Sequence, residues 1–365
     1  MRPAERTVAA GAFFTLFGFT TGHALLETAR DALFLGRLPA SRLPWVYLAI
    51  AVIALLAAEY QGRLLKRWSS RNELSVWLVA ASLVTGALWV ALHSPLTWSV
   101  YALYVWTGVL ATLVVVRFWT LLGMLFTATQ AKRIYAFVGV GSVLGSILGS
   151  ALARLLTGWF SASTLVLVAA IVFLLNAPAP RLLDHRRMGR LPRVHGIGSA
   201  RQLTKVALLI WSRPYLRRVG SLIIASTITF TLVDFVFKTA VDRSIPPDQL
   251  GEFFATFYLG LNVLSLLVQV AGVSWLIRRL GVNRAVAIVP ALLVVGSLGV
   301  SFGGTLVFAL LLKGADGGLR HSLFRTGAEL FWVPIPLELR VRVKPVIDTL
   351  GQRGGQAIAS LAILA

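Results

Sequence analysis

Long apolar runs separated by short polar stretches dominate the hydrophobic pattern of this chain. An apolar run of about 20 residues can cross the hydrocarbon layer of a bilayer, roughly 30 Å thick, as an α-helix. The Leu, Ala and Gly content of these runs differs from the alternating pattern of an outer-membrane barrel. The pattern therefore predicts an all-α, polytopic membrane protein.

Six apolar runs precede a polar middle stretch, and the same pattern resumes after it. The predicted spans of the first half cover residues 8–35, 45–58, 75–93, 97–127, 136–156 and 163–175. The second half has predicted spans at 221–241, 253–277, 285–302 and 305–322. A last apolar run opens at Ala357 and stops at Ala365, which is too short to span. We therefore expect an eleventh span that is cut short and a truncated carboxyl-terminal end.

The polar middle stretch, residues 177–220, separates an amino-terminal bundle, 1–176, from an incomplete carboxyl-terminal bundle, 221–365. Its many arginines cannot lie in hydrocarbon and must lie at the membrane surface. Within it, apolar residues from Leu203 to Ile210 recur at helical spacing, which predicts a short amphipathic helix that ends before Pro214. We interpret the stretch as a tether between the two bundles.

Lysine and arginine account for a formal net charge of +21, and most of them lie between the spans. Basic loops, including Gln130–Arg133 and Arg340–Arg353, follow the even-numbered spans, which places the amino terminus and the tether in the cytoplasm. The position of the lysines and arginines thus reflects the orientation of the spans in an inner membrane. We therefore expect no nucleic-acid partner. The sequence contains no cysteine, which excludes disulfides, thiolate metal sites and cysteine catalysis.

The two halves of the sequence resemble each other at a nearly constant offset. Three sets of landmarks recur 212 or 213 residues apart: Leu64-Leu65-Lys66-Arg67 with Leu276-Ile277-Arg278-Arg279, Phe118-Trp119 with Phe331-Trp332, and Lys132 and Gly139 with Lys344 and Gly351. Six spans in each half would give both copies the same orientation, so we expect two parallel six-helix repeats. This is the plan of major facilitator transporters.

Ionisable residues inside the predicted spans are expensive to bury, so each needs a partner or a water-filled path. They occur in sets that share one helical face, at i, i+3 and i+4. The predicted substrate-binding residues are Arg30, Asp31, Arg117, Asp234, Lys238, Lys313, Asp316 and Arg320. The cations among them can ligate phosphate or carboxylate, while neighbouring aspartates orient them or are displaced. The alternative is that these residues snorkel to the interface or brace the helices.

Small residues recur every fourth position in the fifth predicted span, at Gly141, Gly145 and Gly149. This pattern predicts a face for close helix packing. The spacing does not match a dinucleotide fingerprint, and the sequence has no Gly-Lys-Ser/Thr motif. The five histidines show no metal-ligand spacing, and no catalytic set converges. We therefore expect neither a cofactor nor an enzyme.

Several segments resemble the ATP/ADP translocase family of plastids and intracellular bacteria. They are Glu27-Thr-Ala-Arg30-Asp31-Ala-Leu, Phe118-Trp119 with Gln130-Ala-Lys132-Arg133-Ile-Tyr135, Asp234-Phe-Val-Phe-Lys238, and Arg342-Val-Lys344-Pro-Val-Ile-Asp348-Thr-Leu-Gly351-Gln-Arg353-Gly354-Gly355. The resemblance, to a divergent bacterial member, implies a major facilitator-like fold and exchange of nucleotides without hydrolysis. It aligns Arg30 and Asp31 with a Lys-Asp pair of the family, and Asp234 and Lys238 with a Glu and a Lys.

The chain departs from the family pattern at two positions. The family's glutamate in the fourth span has no counterpart around Tyr104 to Gly108, and Ala328 stands where the family has a lysine, beside the retained Glu329. Lys313 or Arg320 could supply the missing cation from deeper in the same helix.

Together these patterns predict an alternating-access carrier of an anionic solute, of the ATP/ADP exchange type, that works as a monomer in a bacterial inner membrane. One alternative is a proton-coupled carrier of another organic anion. A second is a membrane module that does not transport but anchors a sensor or scaffold.

Overall fold

The computed structural model describes residues 3–64, 73–125, 128–183, 208–268, 279, 306–319, 331–332 and 335–365. The main α-helices within these ranges are α1 (Pro3–Arg37), α2 (Leu43–Leu64), α3 (Glu73–Ala91), α4 (Trp98–Leu125), α5 (Ala128–Thr157), α6 (Ala162–Asn176), α7 (Pro214–Ser244), α8 (Leu250–Leu267), α9 (Leu306–Leu319) and α10 (Leu337–Leu364). Two short 3-10 helices, Ala40–Arg42 and Ala179–Leu182, follow α1 and α6.

The described part of the chain confirms the all-α, polytopic prediction. Eight of its helical segments, drawn from α1 to α8, are long and apolar enough to cross a membrane. Helix α9 covers the first part of the tenth predicted span. The ninth predicted span, 285–302, lies outside the described residues.

One compact unit consists of Met1–Leu38, Tyr60–Val194 and Pro247–Gly260. Helix α1 lies at its centre and packs against α4, α5 and α6, while α3 packs against α4 and α6. Towards the start of α1, Leu16 joins Phe118, Leu122 and Val138 in a buried apolar cluster.

A second compact unit consists of Pro39–Glu59, His195–Pro246 and Leu261–Ala365. Helix α7 packs against α9 and α10. Near the start of α7, Leu216 and Ile223 join Trp332 and Val343 in a buried apolar cluster. Each unit thus takes one segment from the other half of the sequence, since most of α2 lies in the second unit and the start of α8 lies in the first.

The three glycines of the predicted packing face lie where α5 meets α1. A Cβ atom on Gly145 would lie 2.3 Å from the carbonyl oxygen of Phe17, and one on Gly149 would lie 2.3 Å from that of Thr21. A Cβ atom on Gly141 would approach the Phe13 ring to 2.8 Å. The two backbones can therefore come this close only because the α5 positions lack side chains.

Two predicted basic loops are helical, and those predictions are wrong. Helix α5 already begins at Ala128, and α10 runs from Leu337 through the stretch that was expected to be a loop. In α10 an i, i+4 ion pair joins Lys344 to Asp348 at 2.9 Å, whereas Val343 and Ile347, which share a different face of the helix, are buried. The reason is amphipathicity: the charged residues occupy one face of a helix whose other face is apolar.

The start of α7 also differs from the expectation. Pro214 begins α7 seven residues before residue 221, where the seventh span was predicted to begin, whereas residues 208–212 are helical and this helix ends before Pro214, as predicted. Proline fits the first turn of a helix because the backbone N–H that it lacks has no partner there. Residues 184–207, which carry most of the predicted tether, lie outside the described residues.

Candidate functional site

The first group of charged residues, which we call the Arg30 cluster, consists of Glu27, Arg30, Asp31, Tyr104 and Tyr258. Arg30 lies in α1, where its Nη2 atom is 3.1 Å from Oε1 of Glu27 and its Nε atom is 3.3 Å from Oδ1 of Asp31. The side chain of Arg30 is 13% exposed and that of Asp31 is fully buried. The guanidinium of Arg30 therefore pairs with two carboxylates of its own helix, that of Glu27 three residues before it and that of Asp31 directly after it.

Two tyrosines from other helices complete the Arg30 cluster. The ring of Tyr104, on α4, lies 4.8 Å from Cζ of Arg30 in a cation–π contact. The hydroxyl of Tyr258, on α8, donates a hydrogen bond of 2.6 Å to Oδ2 of Asp31. Both carboxylate oxygens of Asp31 consequently have a donor.

The second group, which we call the Asp234 cluster, consists of Tyr47, Asp234, Lys238, Lys313 and Asp316. Oδ2 of Asp234 accepts hydrogen bonds from Nζ of Lys238 at 2.8 Å and from the hydroxyl of Tyr47 at 2.7 Å. Its Oδ1 accepts one from Nζ of Lys313 at 2.8 Å. Asp234 is thus the shared acceptor that joins α2, α7 and α9.

Asp316 completes the Asp234 cluster from α9. Its Oδ2 lies 3.2 Å from Nζ of Lys313, and its residue is 1% exposed. Within the described residues, its Oδ1 is buried without a hydrogen-bond partner. A buried carboxylate oxygen in this situation is a place where a proton or a small donor would be stabilised.

Arg117 lies apart from the Arg30 cluster. Its guanidinium pairs with both carboxylate oxygens of Glu73, at the start of α3. It is thirteen residues further along α4 than Tyr104, which corresponds to roughly 20 Å of helix. The structure therefore brings Arg117 together with Glu73 and not with Arg30.

The remaining predicted site residue, Arg320, lies outside the described residues, as do Ala328 and Glu329. The described part of the chain contains no group of three His, Cys, Asp or Glu residues that could hold a metal ion. Among the described residues, the arrangement instead presents two buried lysines, Lys238 and Lys313, and the partly buried Arg30, each paired with at least one carboxylate that an incoming anion could replace.

Sequence reasoning missed the tyrosines of both clusters and the partner of Arg117. One signal was available for two of them, because Tyr47 and Tyr258 are 211 residues apart, close to the offset between the two halves of the sequence. No comparable repeat or spacing identified Tyr104 or Glu73.

No protein-family model matches the chain. The ADP,ATP carrier protein 3 of Rickettsia typhi is 23% identical over 311 residues, which cover 72% of this chain and 62% of that protein. The plastidic ATP/ADP-transporter of Solanum tuberosum is 23% identical over 306 residues, covering 73% of this chain and 48% of the transporter. The chain thus matches less than two thirds of the length of these curated relatives.

Solved transporter structures share the fold at low sequence identity. The nucleoside transporter NupG superposes with a TM-score of 0.69 at 10% identity, covering 98% of this chain and 89% of that chain. A bacterial homologue of the iron transporter ferroportin, in its inward-facing state, superposes with a TM-score of 0.63 at 15% identity, covering 99% and 91%. The protein is therefore a multi-span membrane protein with a major facilitator-like fold, and its sequence is distantly similar to those of the ADP,ATP carrier proteins.

Proposed function

We propose that the protein is an alternating-access carrier of an anionic solute and that it exchanges nucleotides of the ATP/ADP type. The observation that supports this function is a set of three cations on membrane helices, each paired with at least one carboxylate: the buried Lys238 and Lys313 and the partly buried Arg30. Lysine and arginine side chains buried in membrane helices mark substrate or ion pathways.

The geometry of the pairs favours an anion over a neutral solute. A buried cation must always have a counter-charge, because removing one partner of a buried pair costs several kcal/mol, about 3–5. A phosphate or carboxylate can supply that counter-charge in place of Asp234 or Asp31. Arg30 presents a planar guanidinium that suits bidentate contact with phosphate, and each lysine presents a compact point charge.

Two considerations favour a nucleotide among anions. The curated relatives are named as ADP,ATP carriers and an ATP/ADP-transporter. The motif positions of Arg30, Asp31, Asp234 and Lys238 match those that the family uses for charged residues. This chain has Ala328 where the family has a lysine. Nζ of Lys313 lies 2.8 Å from Oδ1 of Asp234, which supports our hypothesis that Lys313 supplies the missing positive charge.

The setting of this function is also part of the proposal. The carrier works as a monomer in a bacterial inner membrane, with its amino terminus and the tether in the cytoplasm, as the distribution of basic residues favours. It needs no cofactor and no nucleic-acid partner.

The direct test is counterflow of labelled ATP against unlabelled ADP in proteoliposomes. We expect exchange by the wild-type protein and a loss of at least about tenfold in Arg30→Met and Lys313→Met, because each variant removes a charge that binds phosphate. Arg243→Met is the matched control, because Arg243 is an exposed cation in the last turn of α7.

Two results would count against the proposal. Absence of exchange with any nucleotide would remove this substrate class. Full exchange by both Arg30→Met and Lys313→Met would show that the clusters do not bind the substrate.

A second candidate function is a proton-coupled carrier of another organic anion, and Asp316 favours it. Its buried Oδ1 has no partner among the described residues, as in a carboxyl group that takes up a proton. This function predicts that a pH gradient drives net uptake and that Asp316→Asn abolishes the gradient's effect. Uptake of the anion at an unchanged rate without a pH gradient would contradict it.

A further inference from the structure

Two tyrosines each tie a carboxylate of one sequence half to a helix of the other half. Tyr47, on α2, donates to Asp234, on α7, and Tyr258, on α8, donates to Asp31, on α1. Each bond lies within one compact unit, because the units exchange these segments. Both tyrosines are buried, with 4% and 7% of their surface exposed.

The two hydrogen bonds are separate examples of one arrangement, in which a tyrosine hydroxyl donates to an aspartate that also pairs with a cation. They use different carboxylates and different helices, yet in each case the acceptor is the aspartate that also holds a cation of the cluster. A phenol that donates to a carboxylate forms a short, charge-assisted hydrogen bond, as the lengths of 2.6 and 2.7 Å indicate.

An anion that enters the Asp234 cluster competes with Asp234 for the two lysines. Once Lys238 and Lys313 turn towards the anion, the carboxylate of Asp234 loses donors that it cannot replace from hydrocarbon. Tyr47 carries no positive charge, so the anion attracts it less strongly than it attracts the two lysines. Its hydrogen bond therefore becomes more important to Asp234 when the site is occupied, and the same holds for Tyr258 and Asp31 when Arg30 is drawn away.

The geometry points to Tyr47 and Tyr258 as positioning residues that keep Asp234 and Asp31 satisfied while an anion holds the cations. Binding of the anion thereby strengthens the ties between the two halves of the sequence. This inference rests on the proposed function, since it requires an anionic substrate.

A double-mutant cycle tests the tyrosines without any substrate, because removal of a lysine imitates its capture by an anion. The first arm compares the thermal unfolding midpoint of Tyr47→Phe in the wild type and in Lys313→Met. Phenylalanine keeps the ring that lies 5.9 Å from Nζ of Lys238 and removes only the hydroxyl. We expect the loss caused by Tyr47→Phe to be larger in Lys313→Met by about 2 °C or more.

The second arm applies the same comparison to Tyr258→Phe in the wild type and in Arg30→Met. Where Lys313→Met does not fold, Lys238→Met takes its place, because Lys238 donates to the same carboxylate at 2.8 Å. Losses that simply add in both arms would overturn the inference, since a tyrosine with a merely structural role loses the same stability in either background.

Tyr215→Phe is the matched control. Its hydroxyl donates to the backbone carbonyl of Phe331 at 2.7 Å, outside both clusters. Because that acceptor does not change when Lys313 or Arg30 is removed, we expect additive losses for this variant in either background.

Equilibrium binding of ATP to the purified protein provides the second readout. We expect Tyr47→Phe and Tyr258→Phe each to weaken binding about tenfold, and Tyr215→Phe to leave it unchanged. Unchanged affinity in both cluster variants would overturn the inference. A wild-type protein that binds no ATP would overturn the nucleotide substrate alone, because the double-mutant cycle needs no anion.

Discussion

The Arg30 cluster and the Asp234 cluster both compensate the charge of cations on membrane helices, but they do so with different arrangements of carboxylates. In the first, a single arginine lies between two carboxylates and against the ring of Tyr104. In the second, two lysines share the carboxylate of Asp234, and one of them also contacts Asp316. The first cluster therefore distributes its contacts around the cation, whereas the second concentrates them on one acceptor.

The largest effect that this comparison predicts is that of Asp234→Asn. The substitution leaves Lys238 and Lys313 without their shared negative charge, so we expect a loss of about 3 kcal/mol or more in the free energy of unfolding and no nucleotide exchange. Asp31→Asn should cost less, because Glu27 still pairs with Arg30 at 3.1 Å. Thermal unfolding and counterflow measure both effects.

Asp248→Asn is the control for these variants, since Asp248 is an exposed carboxylate in the turn before α8. An equal loss of stability in Asp31→Asn and Asp234→Asn would show that the two clusters do not differ in the way described.

A second prediction compares two helix contacts, α1 with α5 and α7 with α10. A Cβ atom on Gly145 would lie 2.3 Å from a backbone oxygen of α1, whereas one on Gly355 would lie 2.9 Å from the carbonyl oxygen of Ile224. We expect Gly145→Ala to destabilise the protein by about 2 kcal/mol and Gly355→Ala to cost less, because the first forces the backbones further apart.

Gly354→Ala is the control for the glycine variants, because nothing lies within 4 Å of its Cβ position. It should raise the thermal unfolding midpoint slightly, since alanine favours the helix over glycine. A neutral Gly145→Ala would contradict the close contact between α1 and α5.

Arg30→Lys tests whether the first cluster depends on guanidinium geometry or on charge alone. Lysine keeps the positive charge but loses the planar fork and most of the stacking on Tyr104, so we expect ATP binding to weaken about tenfold with exchange still measurable. Lys313→Arg in the second cluster is the comparison and should change affinity less. Equal effects would indicate that charge alone decides in both clusters.

The smallest predicted effect on substrate affinity is that of Arg117→Gln. Arg117 pairs with Glu73, roughly 20 Å along α4 from Tyr104, so the affinity for ATP should stay within about twofold of the wild type. The thermal unfolding midpoint should fall, because Glu73 is left buried without its partner. A loss of affinity without a loss of stability would indicate that Arg117 contacts the substrate, as its position in the sequence predicts.

Periodicity and spacing predicted the membrane helices and the sets of charges on single helices. Glu27, Arg30 and Asp31 are close because they share a face of α1, and Asp234 and Lys238 because they are four residues apart. Lys313 and Asp234 lie on different helices and are 79 residues apart in the sequence, so no local pattern could pair them. The net charge of Arg340–Arg353 does not predict its helix, because the apolar residues of the buried face alternate with the charged ones along the sequence.

By itself, the sequence determined that the chain lies in a membrane as helices, where its ionisable residues occur along them and which glycines permit close packing, since these properties depend on neighbours within one helix. Only the tertiary structure decided which charges meet, because that depends on the packing of helices distant in sequence. In the folded chain Lys313 contacts Asp234, and Arg117 pairs with Glu73. Tyr47 donates a hydrogen bond to Asp234, and Tyr258 donates one to Asp31. The physical reason is that hydrocarbon offers no water to satisfy a buried charge, so the partner must come from whichever helix packs beside it.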